Sequence, residues 1–213
     1  MMLETLSNNK GYSKMGMKIG AVILAGGQSR RMQGVPKASL AFGKTTFMEH
    51  LIQELSHFDE LLISAGQAGK YADYGLPVIP DIVPDCGPLG GLFSALRACR
   101  SEYLLAVSCD MPLFSRKLAD YLCEFVSSDY DAWITVSSDG KIHPLCGIYI
   151  KQAADCMEEQ LYHQNYRLRD SLNRMRVKHI ALGQSAYPDQ MVMNVNTPQD
   201  YQALLQIMSR WPV

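Results

Sequence analysis

Residues 19–24 read Ile-Gly-Ala-Val-Ile-Leu, an apolar run with no polar alternation that ends in the pair Gly26-Gly27. A strand with one wet face alternates, whereas a strand covered on both faces does not. This run therefore calls for a sheet sandwiched between helical layers. The two glycines let the main chain turn sharply and bring bare N–H groups against a ligand. Three fixed cations, Arg30, Arg31 and Lys37, follow closely. Backbone N–H groups backed by that much positive charge suit a polyphosphate, so residues 19–37 form a candidate nucleotide-phosphate loop at the carboxyl end of a first strand.

The remaining chain repeats the alternation of strand and helix. Apolar runs predict strands at Ile19–Leu24, Leu61–Ser64, Val78–Ile79, Tyr103–Val107, Ala132–Val136, Leu145–Ile150 and Val177–Leu182. Between the first two, Thr46 and Glu49 have the spacing of a capping box, and Phe47, Leu51, Leu55 and Phe58 line one helix face. Leu92, Ala95, Leu96 and Cys99 repeat at helical spacing after Pro88, and Ser115 can cap a helix carrying Leu118, Leu122 and Phe125 inward. Asn196 or Thr197 can cap a last helix with Pro198 at its first position. The expected architecture is α/β, a mostly parallel twisted sheet with helices on both faces and ligands at the strands' carboxyl ends.

With 213 residues, 47% of them hydrophobic, one domain over residues 18–213 accounts for the pattern, preceded by a leader at 1–17 in which Met15 or Met17 offers another start. A net charge of −1 gives no general attraction to nucleic acid or an anionic membrane. The six cysteines form no C-x-x-C pair, which favours reduced thiols in a cytoplasmic protein over zinc or a disulfide framework. No apolar stretch approaches the ~18 residues of a membrane span, and the first residues have no secretory apolar core.

Four further segments carry chemistry. Asp110, in Ser-Cys-Asp-Met-Pro at the end of an apolar strand, can hold Mg²⁺ against phosphate oxygens or simply cap a turn. Asp81 precedes Gly87-Pro88-Leu89-Gly90-Gly91, where glycines permit either close ligand approach or close helix packing. Asn194 and Asn196, two apart, face one side of an extended segment. His143-Pro144 stands at a strand mouth, where a solvent-facing or structural histidine is the default, and Tyr166-Arg167-Leu168-Arg169 reads by default as a solvated helix face. The glycine loop matches neither the P-loop nor G-x-G-x-x-G, and no Ser-His-Asp or Cys-His pairing stands out.

In this order, LAGGQSRRM with Lys37, Asp81 to GPLGGL, SCDMP, HP and NVNTP resemble the molybdenum cofactor guanylyltransferase family, usually called MobA, over residues 18 to the final helix. The resemblance implies a Rossmann-like nucleotidyltransferase fold that joins GMP from GTP to molybdopterin or Mo-molybdopterin and releases pyrophosphate. It implies that Leu24, Ala25, Gly26, Gly27, Ser64 and Asp81 contact the nucleotide and that Lys37 and Arg31 grip phosphates. It implies that Asp110 holds Mg²⁺, and Gly87, Gly91, Asn194 and Asn196 are expected to line the pterin side. Other molybdenum-cofactor biosynthesis proteins and molybdoenzyme chaperones are the implied protein partners. Two positions depart from the family pattern: Pro36 precedes Lys37 where aspartate is frequent, and Ser64 stands where the family has asparagine. The competing expectations are a cytidylyltransferase on the same pterin, which tends to carry LAAG rather than LAGG, a sugar- or polyol-phosphate nucleotidyltransferase, and a GTP-binding regulator without turnover.

Overall fold

The computed structural model describes residues 13–14, 17–26, 36–67 and 69–210. In chain order its elements are β1 (Ser13–Lys14), β2 (Met17–Leu24), β3 (Ala41–Phe42), β4 (Thr45–Thr46), α1 (Phe47–Leu55), β5 (Leu61–Ser64), β6 (Val78–Ile79), α2 (Gly87–Ala98), β7 (Tyr103–Ser108), α3 (Arg116–Cys123), β8 (Ala132–Val136), β9 (Ile142–Ile150), α4 (Ala153–Tyr162), α5 (Leu168–Leu172), β10 (Val177–Ala181) and α6 (Pro198–Met208). The main sheet runs β10-β8-β9-β7-β2-β5-β6, with β1 folded back on the start of β2. Strands β2, β5, β6 and β7 are parallel, and β9 opposes both β7 and β8, so β8 and β10 regain the common direction. The chain fills β2, β5 and β6 to one side before β7 returns to the other side of β2. The topological switch point therefore lies between β2 and β7, and its carboxyl edge is where a ligand crevice belongs.

The lack of alternation in β2 has a direct structural cause. Ile19, Ala21 and Ile23 pack with α1 and α3 on one face, while Val22 and Leu24 pack with α2, α4 and α5 on the other. Helix α1 opens with the expected reciprocal box: Glu49 N–H donates to Thr46 Oγ1 and Thr46 N–H to Glu49 Oε2. Ser115 caps α3. At α6 the cap is Thr197 in a box with Asp200, which leaves the Asn196 side chain free for another role. Helix α4 lacks a side-chain cap and α5 has only five residues. Both owe their place to packing of Met157, Leu161, Leu168 and Leu172 over α2.

All seven predicted strands are present. Strand β9 starts at Ile142 rather than Leu145, because its pairing with β8 is bulged: Ile134 opposes Gly147 but Thr135 opposes His143. Pro144, which has no N–H for a ladder, falls within the extra residues. Two carbonyls there find other donors, Thr135 Oγ1 on Cys146 and Tyr149 Oη on Pro144, both at 2.6 Å. The six cysteines are free thiols, and all but Cys156 are buried. Among the described residues no helix is long and apolar enough to cross a membrane.

Candidate active site

Leu24, Ser64 and Ser108 stand abreast in register at the carboxyl edge of β2, β5 and β7. The ladder extends one rung further, with Ala25 N–H on the Ser64 carbonyl (2.8 Å) and Cys109 N–H on the Leu24 carbonyl (3.0 Å). Gly26 then leaves the sheet, and a Cβ built there would meet nothing within 4 Å among the described residues. Gly27, Arg30 and Arg31 lie outside the described residues.

Asp110 follows β7 directly over the switch point and is almost buried. Its Oδ1 accepts from Ser108 Oγ (2.6 Å) and from Asn194 Nδ2 (2.8 Å). Its Oδ2 accepts from Lys37 Nζ (2.8 Å), and the two side chains are only 11% and 19% exposed. Lys37 also donates to Asn196 Oδ1. Three segments distant in sequence thus converge. Lys37 is delivered by a short 3-10 turn, Lys37–Ser39, which is entered through Pro36 at φ −60° and anchored by buried Ala38. The asparagines are delivered by an extended segment whose middle residue, Val195, is fully buried with Phe47, Leu113 and Leu204. Val195 N–H also bonds the Asp110 carbonyl at 2.8 Å. With the middle side chain facing in, both flanking amides face the Lys37–Asp110 pair, Asn194 on the carboxylate and Asn196 on the ammonium. The resemblance placed Asn194 and Asn196 on the pterin side; the structure joins them to Asp110 and Lys37 themselves.

Sequence reasoning missed Ser108. Its signal was available, since Ser108 and Asp110 are two apart at a strand end and therefore share a side, as the asparagines do. Below the cluster, Asp200 is held under the usual carboxylate range by the Asn196 amide and, against the cost of burial, by the Thr197 hydroxyl and amide.

The second wall of the crevice is the start of α2. Gly87 has φ +60° and so admits the chain into the helix. Gly91 is a close-packing position: a Cβ there would lie 2.8 Å from Ser64 Oγ and 3.3 Å from Leu24 Cδ2. Ser64 is 1% exposed and its Oγ donates to the Gly91 carbonyl at 3.2 Å. Together they fix α2 against β5. Asp81 is different. No hydrogen bond occupies its carboxylate among the described residues, and its oxygens lie 3.6 Å from where a Cβ would stand on Gly66 or Gly91, between the loop after β5 and α2. Burial raises its pKa, and the charge of Asp85 adds to the rise.

His143 is not solvent-facing. It is 6% exposed, with Nε2 3.0 Å from Ser137 Oγ. Arg167 and Arg169 are exposed around buried Leu168, as the solvated-face reading has it.

The donor set at Asp110 fits a hard divalent cation. Among the described residues Asp110 Oδ2 accepts only from Lys37, which leaves that oxygen capacity for a divalent cation whose other ligands are phosphate oxygens and water. No cluster of three His, Cys, Asp or Glu exists among the described residues, so an all-protein cage is not the arrangement here. An ammonium has three donors, and among the described residues Lys37 spends two, on Asp110 and Asn196, leaving one for an anion. A doubly covered, mostly parallel sheet with a lysine–aspartate pair over the carboxyl edge of its switch point is the arrangement of a nucleotidyltransferase.

Comparison with known proteins agrees. The profile of the MobA-like NTP transferase domain matches residues 21–180. The chain is 36% identical over 190 residues to the probable molybdenum cofactor guanylyltransferase of Carboxydothermus hydrogenoformans, covering 88% of this chain and 95% of that one. It is 32% identical over 195 residues to the protein of the same description from Clostridium perfringens, covering 89% and 98%. The solved structure of molybdopterin-guanine dinucleotide biosynthesis protein A from Archaeoglobus fulgidus superposes with a TM-score of 0.79 at 22% identity, over 90% of this chain and all of that one. This chain belongs to the MobA-like NTP transferase family.

Proposed function

We propose that the protein transfers GMP from GTP to the terminal phosphate of molybdopterin or Mo-molybdopterin. An oxygen of that phosphate bonds to the α-phosphorus of GTP as the bond to the β-phosphate oxygen breaks, and pyrophosphate leaves. Such a transfer needs positioning and charge neutralisation rather than a covalent nucleophile. The observation that carries the reading is the convergence of Lys37, Asp110, Asn194 and Asn196 over the β2–β7 switch point.

Asp110 would hold Mg²⁺, which when bound neutralises charge on the reacting phosphates. Lys37 turns its third N–H to a phosphate oxygen, and Asn196 keeps its ammonium from swinging away. Ser108 and Asn194 hold Asp110 Oδ1, so Oδ2 is the oxygen presented to the crevice. The half-buried Asp81 carboxylate offers two acceptors side by side. Guanine presents two adjacent N–H groups on its Watson–Crick edge, whereas cytosine presents one donor beside an acceptor, so Asp81 favours guanine over cytosine.

Thermal unfolding with GTP, CTP, ATP and UTP, each with and without Mg²⁺, tests this reading. A ligand at 100 times its Kd adds about 2.7 kcal/mol, which for a chain of this size is a rise in Tm of about 5–10 °C. GTP with Mg²⁺ should give the largest rise. A CTP shift equal to or above that of GTP would overturn the base assignment.

A further inference from the structure

The segment that carries Asn194 and Asn196 sets both members of the Lys37–Asp110 pair, so what fixes that segment matters to the chemistry. Its carboxyl end is fixed by the Thr197–Asp200 box at the start of α6. Its amino end emerges from a 3-10 turn, Asp189–Val192, whose last residue is buried. The first residue of that turn is tied to a different element. Ser138 N–H donates to both Asp189 carboxylate oxygens at 3.0 Å, and Ser138 Oγ donates to Oδ2. The β8–β9 connection that offers Ser138 is itself braced, with Ser137 Oγ on Asp139 Oδ1 (2.6 Å), Lys141 N–H on the same oxygen (3.0 Å), and His143 Nε2 against Ser137 Oγ.

We propose that Asp189 is a positioning residue for nucleotidyl transfer: by clamping Ser138 it fixes the turn from which Asn194 reaches Asp110 Oδ1 and Asn196 reaches Lys37. The inference deepens the proposed function and rests on it. Asp189 touches neither substrate nor metal. It acts through Asn194, which sits behind the carboxylate as an outer partner of a metal ligand. Loss of such partners costs about 10–100-fold in metal affinity or activity.

The test compares wild type, Asp189→Ala, Asp189→Asn and Ser138→Ala. The readouts are kcat for pyrophosphate release, the Mg²⁺ concentration giving half-maximal rate, the Mg²⁺-dependent Tm rise with GTP, and Tm without ligand. Asp189→Ala should lower kcat and raise the Mg²⁺ half-saturation about tenfold, at the lower end of that range. Asparagine keeps an oxygen for the Ser138 amide and an N–H₂ for its hydroxyl, so Asp189→Asn should return to within about threefold of wild type. Ser138→Ala, which keeps the backbone bonds, should fall between, and it decides the matter if Asp189→Ala does not fold. Wild-type kcat and Mg²⁺ dependence in Asp189→Ala would overturn the proposal. So would equal impairment of the alanine and asparagine variants, or losses that merely follow Tm. If the wild type itself releases no pyrophosphate, the proposed function fails, and the Mg²⁺-dependent GTP shift still decides the role of Asp189.

Discussion

Gly91→Ala separates two roles that the glycine-rich start of α2 could play. If Gly91 is there to admit a ligand, the substitution weakens substrate binding and leaves stability alone. The structure gives another answer. The new Cβ would lie 2.8 Å from Ser64 Oγ and 3.3 Å from Leu24 Cδ2, with both neighbours buried. Either α2 or β5 must yield by about half an ångström, and overpacking of that kind costs about 1–3 kcal/mol. Alanine returns about 1 kcal/mol through its higher helix propensity. The net loss is about 0–2 kcal/mol, which for a domain of this size lowers Tm by up to about 8 °C. Ser64→Ala removes the clashing oxygen. Alone it should cost about 1 kcal/mol for the lost bond to the Gly91 carbonyl. Combined with Gly91→Ala it should cost less than the sum, with a coupling of about 1 kcal/mol or more. Thermal and urea unfolding of the four proteins completes the cycle. Strict additivity of the two substitutions would refute the packing argument.

Three other substitutions test separate parts of the account. Lys37→Ala should weaken GTP binding about tenfold or more, since a charged donor to phosphate is worth about 1.5–3 kcal/mol; isothermal titration with unchanged GTP affinity would remove Lys37 from the phosphate site. Asp81→Asn exchanges one of two acceptors for a donor, and a bidentate base contact is worth about 1–3 kcal/mol of discrimination. The preference for GTP over CTP should therefore shrink about 5–100-fold in competition binding, and an unchanged ratio would exclude Asp81 from base recognition. Burial depresses the pKa of His143 below 6.5, with Lys141 adding to the shift and Asp139 and Asp189 opposing it. The unfolded chain then binds a proton that the folded chain refuses, so the contribution is complete above pH 6.5 and is lost as pH falls from there through the folded pKa. His143→Gln should flatten the stability profile between neutral and mildly acid pH; an identical slope in both proteins would place the pH dependence elsewhere.

The sheet was legible because its strands are buried on both faces, and an unbroken apolar run such as 19–24 does not suit a strand with one face in water. The convergence of Asn194 and Asn196 was legible from spacing alone, since buried Val195 between them turns both amides the same way. What lay beyond sequence reasoning depends on distances between segments far apart in the chain. Ser64 is expected at the nucleotide because it stands where the resembled family has asparagine; its hydroxyl donates to the carbonyl of Gly91, 27 residues on, a contact no local pattern announces. Gly90 and Gly91 could have served a ligand or a neighbouring helix, and only the position of the 81–86 loop and β5 decides for packing. Asp189 gave no local signal, and the place of His143 at a strand mouth did not reveal its partner, because both partners lie in a bulged hairpin connection that no periodicity announces.

The central claim is that Asp110, held by Ser108, Asn194 and Lys37, supports metal-dependent transfer of GMP to a pterin phosphate. It is tested most directly by single-turnover pyrophosphate release from GTP in the presence of molybdopterin and Mg²⁺, wild type against Asp110→Asn, with CTP as the comparison substrate. The expected result is one pyrophosphate per guanine dinucleotide formed by the wild type, little from CTP, and near-complete loss in the variant while its fold persists. Near-normal turnover by Asp110→Asn, or release from CTP at the GTP rate, would contradict the claim.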